Sequence, residues 1–296
     1  MRKLVAGLRP YLFIAGLFSL AINLLLLAPP LYMLQVFDRV LTSRSNETLV
    51  MLTIAVVGAL LMMATLDAVR AYLLAAVGSA LDRSLGPRVV EGLVAEATGL
   101  GAREHAHALR DVNSLRSFLS GSGIMALFDA PWLPIFVLII TLFHPLMGAL
   151  ALAGALVMLA LAYVNERATR EPLERAQAEG RRAARFIDAS LRNAEVVNAL
   201  GMLPALTARW STLNEAALQE QRRATRAGAA LSSSTKFTRQ FIQSAMLALG
   251  AFIVLDQQAS PGIMIAATIL LGRALAPVEQ LVAGWKSLVE ARAAWA

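Results

Sequence analysis

The sequence contains no cysteine. That single absence removes disulfide frameworks, zinc knuckles, thioredoxin-type redox motifs and cysteine nucleophiles together. Histidine is confined to His105, His107 and His144, too few for a His-rich metal site. Lysine occurs only as Lys3, Lys236 and Lys286. A phosphate-binding loop needs glycine directly before the lysine and Ser or Thr after it. Lys286-Ser287 follows Trp285, and no glycine-rich loop precedes it, so no ATP site of that kind exists here. Charge is also scarce, at 16% against ~25% in soluble domains. Aromatics are only 6%, while 57% of the 296 residues are hydrophobic, with a mean hydropathy of +0.61. The net charge of +7 would suit a nucleic-acid partner, but the basic residues alternate with long apolar runs. Orientation in a lipid bilayer explains them better, and nucleic acid is excluded as a partner. The class is an all-α polytopic membrane protein.

Six apolar runs are long enough to cross a membrane. The first follows Arg2, Lys3 and Arg9 and extends over 11–36; Ala28 is followed by Pro29 and Pro30, poor chemistry for signal cleavage, so it reads as an uncleaved span kinked at the proline pair. The second covers 49–77. Residues 130–165 hold no charge; as one helix they would measure about 54 Å at ~1.5 Å per residue, too long for a ~30 Å core. Phe143-His144-Pro145 divides them into spans over 124–143 and 145–165. Spans five and six cover 237–255 and 262–281, joined by the turn Asp256 to Pro261.

With six spans, the loops at 37–47, at 144 and at 256–261 share one side and hold only Arg39 and Arg44 of the 27 basic residues. The positive-inside rule then places both termini in the cytoplasm. Residues 78–123 and 166–236 become large cytoplasmic regions. In the second, Leu173, Ala176, Gly180, Ala184, Ile187, Leu191 and Ala194 recur at helical spacing. Glu166–Arg170 and Glu171–Arg175 are i,i+4 pairs in the favourable order. These charges read first as a solvated helix surface. Gly201 and Pro204 interrupt the stripe, so a short element over Leu200–Trp210 is expected before helix resumes. A comparable break at Gly99-Leu100-Gly101 precedes Arg103–Leu109. Two helical hairpins with short tips suit a device that transmits motion.

No catalytic, cofactor-binding or metal-ligating constellation emerges. His105 and His107 suit a surface or interface better than a metal, and Asn46-Glu47-Thr48 matches a glycosylation sequon that is common by chance. Polar residues inside the spans say more. Asp67 and Arg70 are spaced to pair with each other. Asp129 precedes Ala130-Pro131 and suits a helix N-cap. Gln240, Gln243 and Ser244 mark one face of span five, and span six carries Arg273 and Glu279. Charge in lipid is costly and faces a partner or a wet cavity. Asp129, Gln240, Gln243, Arg273 and Glu279 are therefore candidates for lining a path, with a static, internally paired bundle as the alternative.

Three strings carry a resemblance. Pro30-Leu-Tyr-Met-Leu-Gln-Val-Phe-Asp-Arg-Val-Leu-Thr-Ser-Arg44 closes span one. Leu115-Arg-Ser-Phe-Leu-Ser-Gly121 with Phe128-Asp-Ala-Pro-Trp-Leu-Pro-Ile135 opens span three. The most specific is Pro261-Gly-Ile-Met-Ile-Ala-Ala-Thr-Ile-Leu-Leu-Gly-Arg-Ala-Leu-Ala-Pro-Val-Glu-Gln280, continuing to Trp285-Lys-Ser-Leu-Val-Glu-Ala-Arg292. Together they resemble the transmembrane domain of type I secretion ABC exporters, in the branch that exports alkaline proteases and lipases.

The resemblance implies a homodimer of six-span halves in the bacterial inner membrane, each joined to a nucleotide-binding domain that would begin near Ala296. ATP and Mg would bind there and not in this chain, which is itself no enzyme. It implies that Arg103, His105 and Leu109, and Leu200, Leu203, Leu206 and Trp210, belong to coupling helices resting on the ATPase domains. It implies as substrate an unfolded polypeptide with a C-terminal signal, passed to a periplasmic membrane fusion protein and an outer-membrane duct. An exporter of lipids or peptides, or a membrane scaffold without transport, would share much of the pattern.

Overall fold

The computed structural model describes residues 2–97, 116–285 and 287–289. Among these, helices account for nearly everything and no strand occurs. The chain divides into two compact units, Met1–Ala160 with Thr235–Ala296, and Leu161–Ser234.

The first unit is built from helices with short connections. Helix α1 (Arg2–Leu25) ends at Leu26-Leu27, and α2 (Ala28–Gln35) begins with the proline pair in its first turn. The expected kink is thus a break just before Pro29, for a physical reason. Proline lacks only an N–H that a first turn leaves unpaired anyway, so it starts a helix more readily than it bends one. A π-helical turn at Val36–Val40 leads into α3 (Leu41–Ser43). Arg44, at φ 52°, reverses the chain into α4 (Asn46–Ala97), a helix of 52 residues. Then α5 (Ser122–Asp129), a 3₁₀ turn at Ala130–Trp132 and α6 (Leu133–Phe143) follow in close succession. His144 alone, with extended backbone, separates α6 from α7 (Pro145–Leu191). Helix α9 (Leu203–Leu255) and α10 (Pro261–Ala283) complete the set.

Among the described residues, six helical stretches are long and apolar enough to cross a membrane, beginning at Phe13, Asn46, Gly123, Pro145, Leu203 and Pro261. Helix α10 is the most enclosed. Ala266, Ala267, Leu271, Ala274 and Leu275 are fully buried, and α2, α5 and α6 pack against it. Without a hydrophobic drive between helices in lipid, association relies on close packing of small residues. A side chain added at Gly154 would come within 2.7 Å of Ile242, so α7 and α9 meet backbone to side chain there.

The second unit holds the later part of α7, the short α8 (Ala194–Ala199) and the early part of α9. Its helices pack through Leu173, Ala176, Ala183 and Ala224, all buried, and Gly228 lies against the Thr169 methyl. The i,i+4 pairs Glu166–Arg170 and Glu171–Arg175 form, the first at 3.9 Å. Arg170 also donates to Glu174 at 3.0 Å.

Candidate functional site

Among the described residues of the first unit, the most enclosed charge is Arg70, 4% exposed. On α4 its guanidinium donates to Asp67, one turn earlier, at 2.8 Å. Its other Nη donates to Asp129, at the end of α5, at 2.9 Å. The Asn23 amide donates to the same Asp129 oxygen at 3.0 Å, and so does the Ser19 hydroxyl. Ser19 and Asn23 are four residues apart on α1, so both face one point. A buried cation costs several kcal/mol unless paired and hydrogen-bonded; two carboxylates supply the pairing through the two Nη atoms, while the buried Nε has no partner. The N-cap reading of Asp129 is overturned. Its backbone is helical and its carboxylate caps no N–H, because a buried guanidinium is the stronger attractor.

The remaining polar candidates lie on α9 and α10. Gln243 reaches Gly272, where an added Cβ would stand 3.2 Å from the amide nitrogen. Glu279 pairs with Arg239 at 2.7 Å, joining the same two helices further along. Gln240 and Arg273 are exposed. Four of the five path candidates are thus on two packed helices, while Asp129 belongs to the separate node around Arg70.

A further polar contact was not singled out by the sequence. Asp38, in the π-helical turn, accepts from the Gly262 N–H at 2.9 Å and from the Ser260 hydroxyl. Ser260 itself caps α10 by accepting from the Ile263 N–H at 3.2 Å. A carboxylate placed at a helix N-terminus is favoured by the helix dipole and its unpaired donors. Nearby, His144 Nε2 and the Gln258 side chain are 3.3 Å apart. The usable signal was Ser260-Pro261, an N-cap followed by N1 proline; its partner 222 residues away left no trace in the local pattern.

In the second unit, the chain reversal builds an apolar groove of about 380 Å³. Ile187, Leu191, Val197, Leu203, Leu206 and Trp210 line it. Three of the four expected tip residues therefore share one surface, and Leu200 does not line it. The short element differs from expectation. It is Ala194–Ala199, and Leu203–Trp210 forms the first turns of α9, which continues unbroken to Leu255. Gly201, at φ 60°, makes the reversal. Pro204 falls in the first turn of α9, so it begins that helix and breaks none. The other expected tip, with Arg103, His105 and Leu109, lies outside the described residues.

Six apolar helices, a buried ion-pair node and long helices that leave the apolar stretch define a multi-pass helical membrane protein. Residues 12–277 match the ABC transporter transmembrane region, and the chain belongs to that family. It is 41% identical over 281 residues to the type I secretion system ATP-binding protein PrsD of Rhizobium meliloti (strain 1021), covering 95% of this chain and 48% of that protein. It is 25% identical over 274 residues to the toxin RTX-I translocation ATP-binding protein of Actinobacillus pleuropneumoniae, covering 90% of this chain and 38% of that protein. The cyclolysin secretion/processing ATP-binding protein CyaB of Bordetella pertussis (strain Tohama I / ATCC BAA-589 / NCTC 13251) is 24% identical over 277 residues, with 91% and 38% covered. The chain spans about half or less of the length of these relatives.

Proposed function

We propose that this chain is the membrane-spanning part of an ATP-driven type I protein secretion transporter, through which an unfolded polypeptide with a C-terminal signal leaves the cytoplasm. The observation that carries the reading is the 41% identity to PrsD along 95% of the chain. In this reading the protein sits in the bacterial inner membrane with both termini cytoplasmic, and works as a homodimer. A periplasmic membrane fusion protein and an outer-membrane duct continue the path. ATP and Mg act on an ATP-binding part; the lack of a Gly-Lys-Ser/Thr loop in this sequence supports that placement.

Nucleotide-driven dimerisation of the ATP-binding parts would move the surface they rest on, and a packed helix carries such motion better than a loop. The groove around Leu203, Leu206 and Trp210 supports that role, being apolar, exposed and built on helices. The test is reconstitution of the chain with its ATP-binding part in proteoliposomes. ATP-dependent passage of a polypeptide bearing the C-terminal signal is expected. Passage of lipid or short peptide in its place would support the other exporter reading, and ATP turnover without any cargo would overturn transport.

A further inference from the structure

Among the described residues, Arg273 has no acidic partner. Among the charges within the membrane-crossing helices, Arg70 has two carboxylates and Arg239 has Glu279, yet no acidic group of the described residues lies within ion-pair distance of Arg273. It is exposed, on a helix otherwise dominated by buried aliphatic residues. Counting from Pro261, it lies about 18 Å along α10 at ~1.5 Å per residue, inside a ~30 Å hydrocarbon core. Side chains on a helix lean toward its N-terminus. Arg273 therefore leans away from the nearer, C-terminal end of α10, which works against reaching a headgroup layer by snorkelling.

Such a cation needs water or a transient anion beside it. Its surroundings suit the wet alternative. The preceding residue, Gly272, has no side chain and is met by the Gln243 amide of α9. On α9 the neighbours of Gln243 by one residue and by one turn, Ser244 and Gln240, are exposed as well.

Resting on the transport reading above, we infer that Arg273 selects cargo by charge, its guanidinium acting as a counter-ion for carboxylate-bearing segments as they pass. Each passing Asp or Glu exchanges part of its water for this donor and is released to the next. A lysine-rich segment meets repulsion at the same point.

The test uses the complete transporter with its ATP-binding part. Three passengers share one C-terminal signal and differ in sequence charge: acidic, neutral and basic. Secretion is measured for the parent, Arg273→Gln, Arg273→Glu and Arg273→Lys, each normalised to membrane-inserted protein. Arg273→Gln should lower the acidic-to-neutral ratio by roughly fivefold, the scale of one solvent-accessible ion pair. Arg273→Glu should invert the preference toward the basic passenger, and Arg273→Lys should restore the parent order. Equal loss for all three passengers would assign Arg273 to structure or lipid contact and overturn the inference while leaving transport intact. Unchanged ratios in every variant would overturn it too. A parent that secretes none of the three would remove the transport reading and this inference with it.

Discussion

The guanidinium of Arg70 bridges Asp67 and Asp129 at 2.8 and 2.9 Å, tying α4 to α5 across 59 residues of sequence. Because Arg70 is enclosed and Asp67 is half-exposed, the two carboxylates do not contribute equally. Arg70→Gln leaves the part-buried Asp129 with the Ser19 and Asn23 donors but no cation, and should cost about 2–3 kcal/mol, below the penalty for a fully buried orphaned charge. Asp67→Asn should cost about 1 kcal/mol or less. Thermal unfolding in detergent checks both; equal losses for the two variants would contradict the node as described.

Gly262 is the second sensitive point. A methyl at this position would stand 2.6 Å from an Asp38 carboxylate oxygen, closer than non-bonded atoms approach. Gly262→Ala should therefore destabilise by about 1–3 kcal/mol, as overpacking does. In the double variant with Asp38→Ala the methyl has room, so its added cost should fall. A double-mutant cycle on melting temperature reads this directly, and additive losses would count against it.

Topology is tested by reporter fusions at Gln257 and Ala217. Gln257 lies in the turn before α10, and Ala217 lies on α9 in the second unit. With 25 of the 27 basic residues kept out of the turns on the Gln257 side, the two fusions should report opposite faces of the membrane. Signals from the same face would refute the six-span arrangement.

Trp210 is 38% exposed and lines the apolar groove. If the groove holds an ATP-binding part, Trp210→Ala removes an aromatic anchor worth about 2 kcal/mol or more. ATP turnover should then continue while secretion falls, with folded yield unchanged. A drop in yield or melting temperature alone would make Trp210 a support of its own hairpin.

The 296-residue chain by itself should neither bind nor hydrolyse ATP, since no Gly-Lys-Ser/Thr loop is present. Calorimetric titration with ATP and Mg should give no saturable heat. Saturable, magnesium-dependent binding would refute the expectation.

Local chemistry is legible in the sequence where the interacting groups are close in it. Among the described residues, the apolar runs give six helices long and apolar enough to cross a membrane, because each run is continuous over a membrane thickness. Asp67–Arg70 and the Glu–Arg pairs of α7 follow from helical spacing. Groups far apart in sequence leave no such mark. Asp129 reads as a helix cap because its neighbours are Ala130-Pro131, whereas its partners come from α1 and α4. Asp38 reads as one charge in a loop, since a π-helical turn and a partner helix more than 200 residues on decide its role. At the chain reversal, Gly201 and Pro204 mark a boundary correctly, but the same proline that ends one helix is equally suited to begin the next.

The connections at one end of the helix bundle are very short: Arg44-Ser45 between α3 and α4, His144 between α6 and α7, and residues 256–260 between α9 and α10. The last two meet through His144 and Gln258, and α10 is held to the first turn-bearing segment through Asp38. A protease must draw an extended stretch of chain into its cleft, and none of these turns has slack to give. If the six-span topology holds, this end should resist digestion in intact vesicles despite lying outside the bilayer. An epitope tag placed there would need its own flexible linkers on both sides, since a tag whose ends are held apart would otherwise unwind the flanking helices.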